Sequence, residues 1–154
     1  KYFNHALGEK KKKTKIYISS LSSTSTMSTF DKKSKYLKFK NFILKNKSNS
    51  YKTHFIQQKT IDEVFKNEDL TNCFLKIDVE GYEINVLLGA KKKIKEIKYV
   101  LLEHQLFNQY KNDFKKVKRF LINNNFEVAQ NFYFPTLHYK DVLFKKNKKN
   151  AKKQ

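Results

Sequence analysis

Five residue types are scarce in this chain, and each shortage narrows what it can be. Cys73 is the only cysteine, so neither a disulfide framework nor a cysteine metal cluster can be built. Beside Phe74 at the start of an apolar run, it reads as a small buried hydrophobe. Arg119 is the only arginine, which argues against bidentate recognition of bases or phosphates. Gly8, Gly81 and Gly89 are the only glycines, Pro135 is the only proline, and tryptophan is absent; no stretch forms a glycine-rich loop. No apolar run approaches the ~18 residues that a membrane-spanning helix needs. The N-terminus has no signal-peptide core.

What is abundant is lysine, with Asn, Ile, Phe and Tyr. The net charge of +20 invites a nucleic-acid reading. However, the abundant residues have AT-rich codons and the scarce ones GC-rich codons, so part of the charge reflects base composition. At 154 residues the chain is one domain by length, and a globule of this size buries roughly 68–70% of its unfolded surface. Aromatics, at 15%, supply much of the apolar volume.

Along the chain, residues 15–19 alternate like a short strand, with a charged tip or loop at 9–13 before it. Residues 19–28 are Ser/Thr-rich and read as a loop. Residues 30–51 mix lysines with apolar residues without a clear period. Residues 54–60 can be extended. Thr60 followed by Glu63 is a capping-box signal for a helix to about residue 67. Residues 74–79 and 99–102 are near-continuous apolar runs, which suit strands covered on both faces. Between them, residues 82–88 carry Ile84, Leu87 and Leu88 on one helical face. Gly89 offers a stop, and a second short helix spans 90–96. Residues 113–124 have helical spacing through Phe114, Val117, Phe120 and Leu121, with an Asn-rich end suited to a left-handed terminator. Residues 126–132 and 136–144 read as two final strands forming a hairpin. The expected architecture is α/β, one domain over 1–144, with a basic disordered tail at 145–154.

Chemistry concentrates where the first apolar strand ends. Asp78, Glu80 and Glu83 crowd the strand-to-helix junction, and Glu103 ends the neighbouring strand. Acids in a first helical turn also complement the helix dipole and cap free amides. The alternative is that Asp78 faces the crevice outside the carboxyl ends of the strands, where open α/β sheets bind ligands. His104 could act as a base, although a single histidine after a strand is commonly structural. His5, His54 and His138 have no spacing that suggests a metal site, and a divalent cation on Asp78 and Glu80 is the weakest of the site readings.

The stretch from Leu75 to Ala90, with Asp78-Val79-Glu80-Gly81-Tyr82-Glu83 at its centre, resembles the signature of the FkbM-family methyltransferases. Asn4-His5-Ala6-Leu7-Gly8, the Ser/Thr-rich segment 22–29, Thr60-Ile61-Asp62, Leu87-Leu88-Gly89-Ala90 and Leu102-Glu103 match other family segments, in family order. The resemblance implies a partial class I methyltransferase (Rossmann-like) sheet with a C-terminal antiparallel strand pair. It also implies S-adenosylmethionine as cofactor and O-methylation of a hydroxyl on a sugar, glycan or other small molecule. The implied roles are Asp78, Glu80 and Glu103 for catalysis, Asn4, Ala6 and Asp78 for the cofactor, and Glu83 and His104 for the substrate, with no metal. A cytoplasmic location, no membrane span and no specific nucleic-acid partner go with this reading. The family's glycine-rich turn has no counterpart here. The chain, opening on Lys1, therefore reads as the C-terminal part of an enzyme, with residues 1–19 short of their sheet partner and residues 74–79 left as an open edge. The competing reading is a basic module for RNA or an anionic surface, without catalysis, for which aromatics should interleave with lysines on one exposed face.

Overall fold

The computed structural model describes residues 2–19, 25–28, 51–106, 114–133 and 139–147. Most of the 30–51 stretch and residues 148–154 of the expected tail lie outside them. Two four-stranded sheets carry the fold. The first is built from β1 (Ala6–Leu7), β2 (Lys12–Ser19), β3 (Ser25–Thr26) and β4 (Tyr51–Lys59), in the order β1-β4-β2-β3. β2 and β4 pair antiparallel over eight residues, from Lys12 opposite Gln58 to Ser19 opposite Tyr51. The N-terminal strands have thus found partners, but in a sheet of their own. Lys12 and Lys13, expected in a loop, are strand residues.

The second sheet contains β5 (Phe74–Ile77), β6 (Tyr99–Gln105), β7 (Phe126–Tyr133) and β8 (Tyr139–Lys146), in the order β5-β6-β8-β7. β5 and β6 are parallel. β8 runs antiparallel to both β6 and β7, so the last two strands form the expected antiparallel pair. Among the described residues β5 pairs only with β6, which leaves it at the edge. β8 extends through Lys146, two residues into the stretch read as a tail, and the Lys146 ammonium donates to the Ile94 carbonyl (3.1 Å).

Two helices cover one face of this sheet. α2 (Glu83–Leu88) follows β5, and α3 (Phe114–Asn123) precedes β7. Val86, Leu87, Val117 and Leu121 meet Ile77, Val100, Leu102, Val142 and Phe144 in the core. α3 ends where the Asn124 side-chain amide donates to the Phe120 carbonyl (2.9 Å) and Asn125 turns left-handed (φ 64°), as the Asn-rich sequence predicts. The opposite face is less covered than the apolar runs suggest: Phe74 is 56% exposed, and β5 alternates between exposed and inward residues. One-sided cover produces that alternation.

The sheets are joined by a latch built from short-range signals. α1 (Ile61–Val64) starts on the predicted capping box, with the Glu63 amide donating to the Thr60 hydroxyl and the Thr60 amide to the Glu63 carboxylate (both 3.0 Å). Asp62 then reaches across the molecule. Its amide donates to the Gly89 carbonyl (3.0 Å), and its carboxylate accepts from the Lys92 and Lys93 amides (3.0 and 2.8 Å). This caps a 3-10 turn at Lys93–Lys95. Gly89 packs so closely on Gly8 that an added Cβ would overlap the Gly8 carbonyl oxygen, and a Cβ on Gly8 would overlap the Gln58 side chain. Gly89 is thus required for backbone-to-backbone contact with Gly8, and Gly8 leaves the space that the buried Gln58 side chain fills.

Candidate active site

After Ile77 the chain leaves β5 through Asp78-Val79-Glu80-Gly81 and enters α2. Glu80 has φ 49° and Gly81 φ 90°. Gly81 adopts this freely, but a side-chain-bearing residue in the left-handed region costs roughly 1–2 kcal/mol. Polar contacts hold the turn. The Thr26 hydroxyl donates to the Glu80 carbonyl (2.7 Å), the Gln105 amide to the Glu80 carboxylate (2.8 Å), and the Gly81 amide to the Glu83 carboxylate (2.9 Å). Glu83 is 3% exposed. It lies beneath the turn as a brace, which is the helix-start role weighed for it from sequence.

Strand pleat and register decide which side chains meet. Lys76 is directly opposite Leu101, and Glu103 directly opposite Asp141. Partners in register share a face, so Lys76, Leu101, Glu103, Gln105 and Asp141 lie together, opposite the face carrying buried Leu102 and Val142. Asp78 joins them at the strand end, its carboxylate 3.2 Å from the Lys76 ammonium. Gln105 bridges two acids, donating to Glu80 and, at 3.4 Å, to Glu103. Burial, followed by the nearby charges of Glu80 and Asp78, pushes Glu103 up to about 7. Asp141 is also pushed up, mainly by burial, and Lys76 opposes the shift. The result is a carboxylate poised to exchange a proton near neutral pH.

The structure brings Asp78, Glu80 and Glu103 together, with Glu83 bonded to the same turn, and sends His104 to another face. His104 points to the opposite face of β6, its ring stacked on Phe114 (centroids 3.8 Å apart, 9° between planes). Burial, with the Lys140 charge, lowers its proton affinity. Adjacent residues of a strand face opposite sides, so His104 and Glu103 do not share a surface. Asn4 is exposed, and Ala6 pairs with Gln58 in the first sheet. Asp141, Gln105 and Thr26 were not singled out in the sequence. Gln105 was legible as the next same-face residue after Glu103, whereas nothing local marks Asp141 as its cross-strand neighbour. Among the described residues no group of three or more His, Cys, Asp or Glu converges to hold a metal ion.

Asp78 and Glu80 follow the carboxyl end of β5 and Glu103 lies near that of β6, the end of the strands at which open α/β sheets bind ligands. The chain matches the Methyltransferase FkbM domain over residues 1–128 and belongs to that family. Its members generally use S-adenosylmethionine. No curated protein and no solved structure gave a match.

Proposed function

We propose that this chain serves S-adenosylmethionine-dependent O-methylation of a hydroxyl on a sugar, glycan or other small molecule, in the cytoplasm. The observation that carries the reading is the group of strand-end carboxylates Asp78, Glu80 and Glu103, drawn together around Gln105 in a chain of the FkbM family. The parallel β5–β6 pair followed by the antiparallel β8–β7 pair supports a Rossmann-like methyltransferase sheet.

The donor set fits the cofactor in charge. Asp78 offers a carboxylate to its cationic sulfonium and ribose hydroxyls, and Asn4 and Ala6 enter by the family resemblance. The glycines do not supply the close backbone approach, because Gly8 and Gly89 are committed to each other and Gly81 to the acidic turn. The chain alone should therefore bind S-adenosylhomocysteine weakly. When bound, the cofactor supplies an electrophilic methyl group. Glu103, ionised above about 7, would take the proton from an acceptor hydroxyl. Asp78 orients that hydroxyl, and Gln105 keeps the Glu80 and Glu103 carboxylates in fixed relation.

Transfer of labelled methyl from S-adenosylmethionine, supplied in large excess to offset weak binding, to sugar and oligosaccharide acceptors tests the reading. The rate should rise with pH through about 7. Glu103→Gln should lower turnover by on the order of 10²–10⁴, with Asp78→Asn also impairing it. Full turnover in both variants would sink the assignment.

A further inference from the structure

The first sheet carries a surface to which the proposed methyl transfer assigns no residue, the outward face of β2 and β4. In β2 and β4 the charged residues are Lys12, Lys13, Lys15, Lys52 and Lys59, and neither strand contains an acid. Among the described residues, the carboxylates next to these strands in the chain stand at one end of the ribbon: Glu9 in the turn before β2, and, in α1, Asp62, which is turned to the Lys92 and Lys93 amides, and Glu63, which feels the charges of Lys11 and Lys59. Acids cluster instead on the second sheet, at Asp78, Glu80, Glu103 and Asp141. The second sheet carries both signs, with Lys76, Lys140, Lys145 and Lys146 beside those acids, whereas the β2–β4 ribbon carries lysines alone.

Register sorts the ribbon's side chains. Lys13 is opposite Gln57, Lys15 opposite Phe55 and Tyr17 opposite Thr53, so these six share one face. Gln58, on the other face, is fully buried, where it accepts from the Tyr82 hydroxyl (3.2 Å) and donates to the Lys10 carbonyl (2.7 Å). The face with Phe55 therefore points outward. Phe55 is 63% exposed there, and the Lys13 and Lys15 ammonium groups lie 5.1 and 5.6 Å from its ring centre.

We propose that this outward face of the β2–β4 ribbon docks on an anionic phospholipid bilayer, with Phe55 entering the headgroup–acyl boundary and the surrounding lysines lying on lipid phosphates. An apolar ring flanked by ammonium groups divides its chemistry as that interface does. Lysine suits the role because lipid phosphates attract it as a point charge and need no bidentate fork. Single-stranded nucleic acid fits less well. It favours successive stacking platforms and arginine, and here one exposed phenylalanine stands with a half-buried Tyr17, while Arg119 lies on α3.

The test is cosedimentation of the full chain with vesicles of phosphatidylcholine, with and without phosphatidylserine, and with an oligouridine strand as competitor. Binding should require phosphatidylserine and fall with added salt. Lys13→Gln with Lys15→Gln should weaken it roughly thirtyfold, and Phe55→Ala should weaken it at unchanged net charge. Lys118→Gln with Arg119→Gln, which removes the same charge from α3, should leave it nearly unchanged. An unchanged thermal midpoint in the ribbon variants shows that the fold survives. Binding to neutral vesicles alone, equal loss in the α3 control, or preference for oligouridine over vesicles would each overturn the proposal.

Discussion

Replacing Glu103 with glutamine separates stability from function at the candidate site. Glu103 titrates near 7 in the fold against 4.5 ordinarily. A carboxyl whose affinity for its proton is higher in the folded state favours folding while protonated. That contribution is fully present below about 4.5 and lost as pH rises through about 7. Without screening, the loss would reach ~3 kcal/mol; solvent around a half-buried carboxylate brings it to ~1–2 kcal/mol. Glutamine cannot ionise, yet its carbonyl can still accept from Gln105. Glu103→Gln should therefore match the parent below the window and exceed it by ~1–2 kcal/mol above, raising the melting midpoint by roughly 2–4 °C per kcal/mol. Urea unfolding of both proteins across the window measures the difference directly, since titrations shared by the two cancel. A variant less stable than the parent above 7, or a gap that does not change with pH, would show that burial and the charges of Glu80 and Asp78 do not strain Glu103. Coupled with lost methyl transfer, the expected gain would mark Glu103 as a residue held at a cost for its chemistry.

Asp78→Asn should leave thermal stability within ~1 kcal/mol, because its ion pair with Lys76 is solvent-exposed; a collapse in stability would assign Asp78 to the architecture instead. Gly89→Ala should destabilise by ~1–3 kcal/mol or more, since the added methyl would meet the Gly8 carbonyl, and chemical denaturation reads this directly. Asp62→Ala removes the carboxylate that caps the Lys92 and Lys93 amides and should cost about 1 kcal/mol. Raised hydrogen exchange confined to the Lys92 and Lys93 amides would locate the effect.

Several elements were legible because their causes are local. Thr60 and Glu63 lie three residues apart and cap one another, so the start of α1 could be read directly. The Asn-rich end of α3 supplies its own left-handed terminator at Asn125. The apolar runs at β5 and β6, the hairpin of β7 and β8, and the acidic turn between β5 and α2 each depend on a few consecutive residues. From these alone followed the α/β class and the place where chemistry would gather, with the family resemblance strengthening both.

Other features depend on contacts that no short window contains. That β2 pairs with β4 in a separate sheet was decided by an eight-residue register between segments more than thirty residues apart. Apolar content marked β5 as a strand without revealing that cover would come from one side, which leaves Phe74 open. Glu103 and His104 are neighbours in the chain and strangers in space, because the pleat sends them to opposite faces of β6. Gly8 and Gly89 could be recognised as family glycines, but only packing showed that they touch. The proton affinity of Glu103 depends first on its burial and then on charges brought close by the fold, at Glu80 and Asp78. Local sequence therefore determined which elements form and where the acids sit along the chain. Tertiary structure decided which acids share a surface, since register, burial and charge proximity are properties of residues distant in sequence.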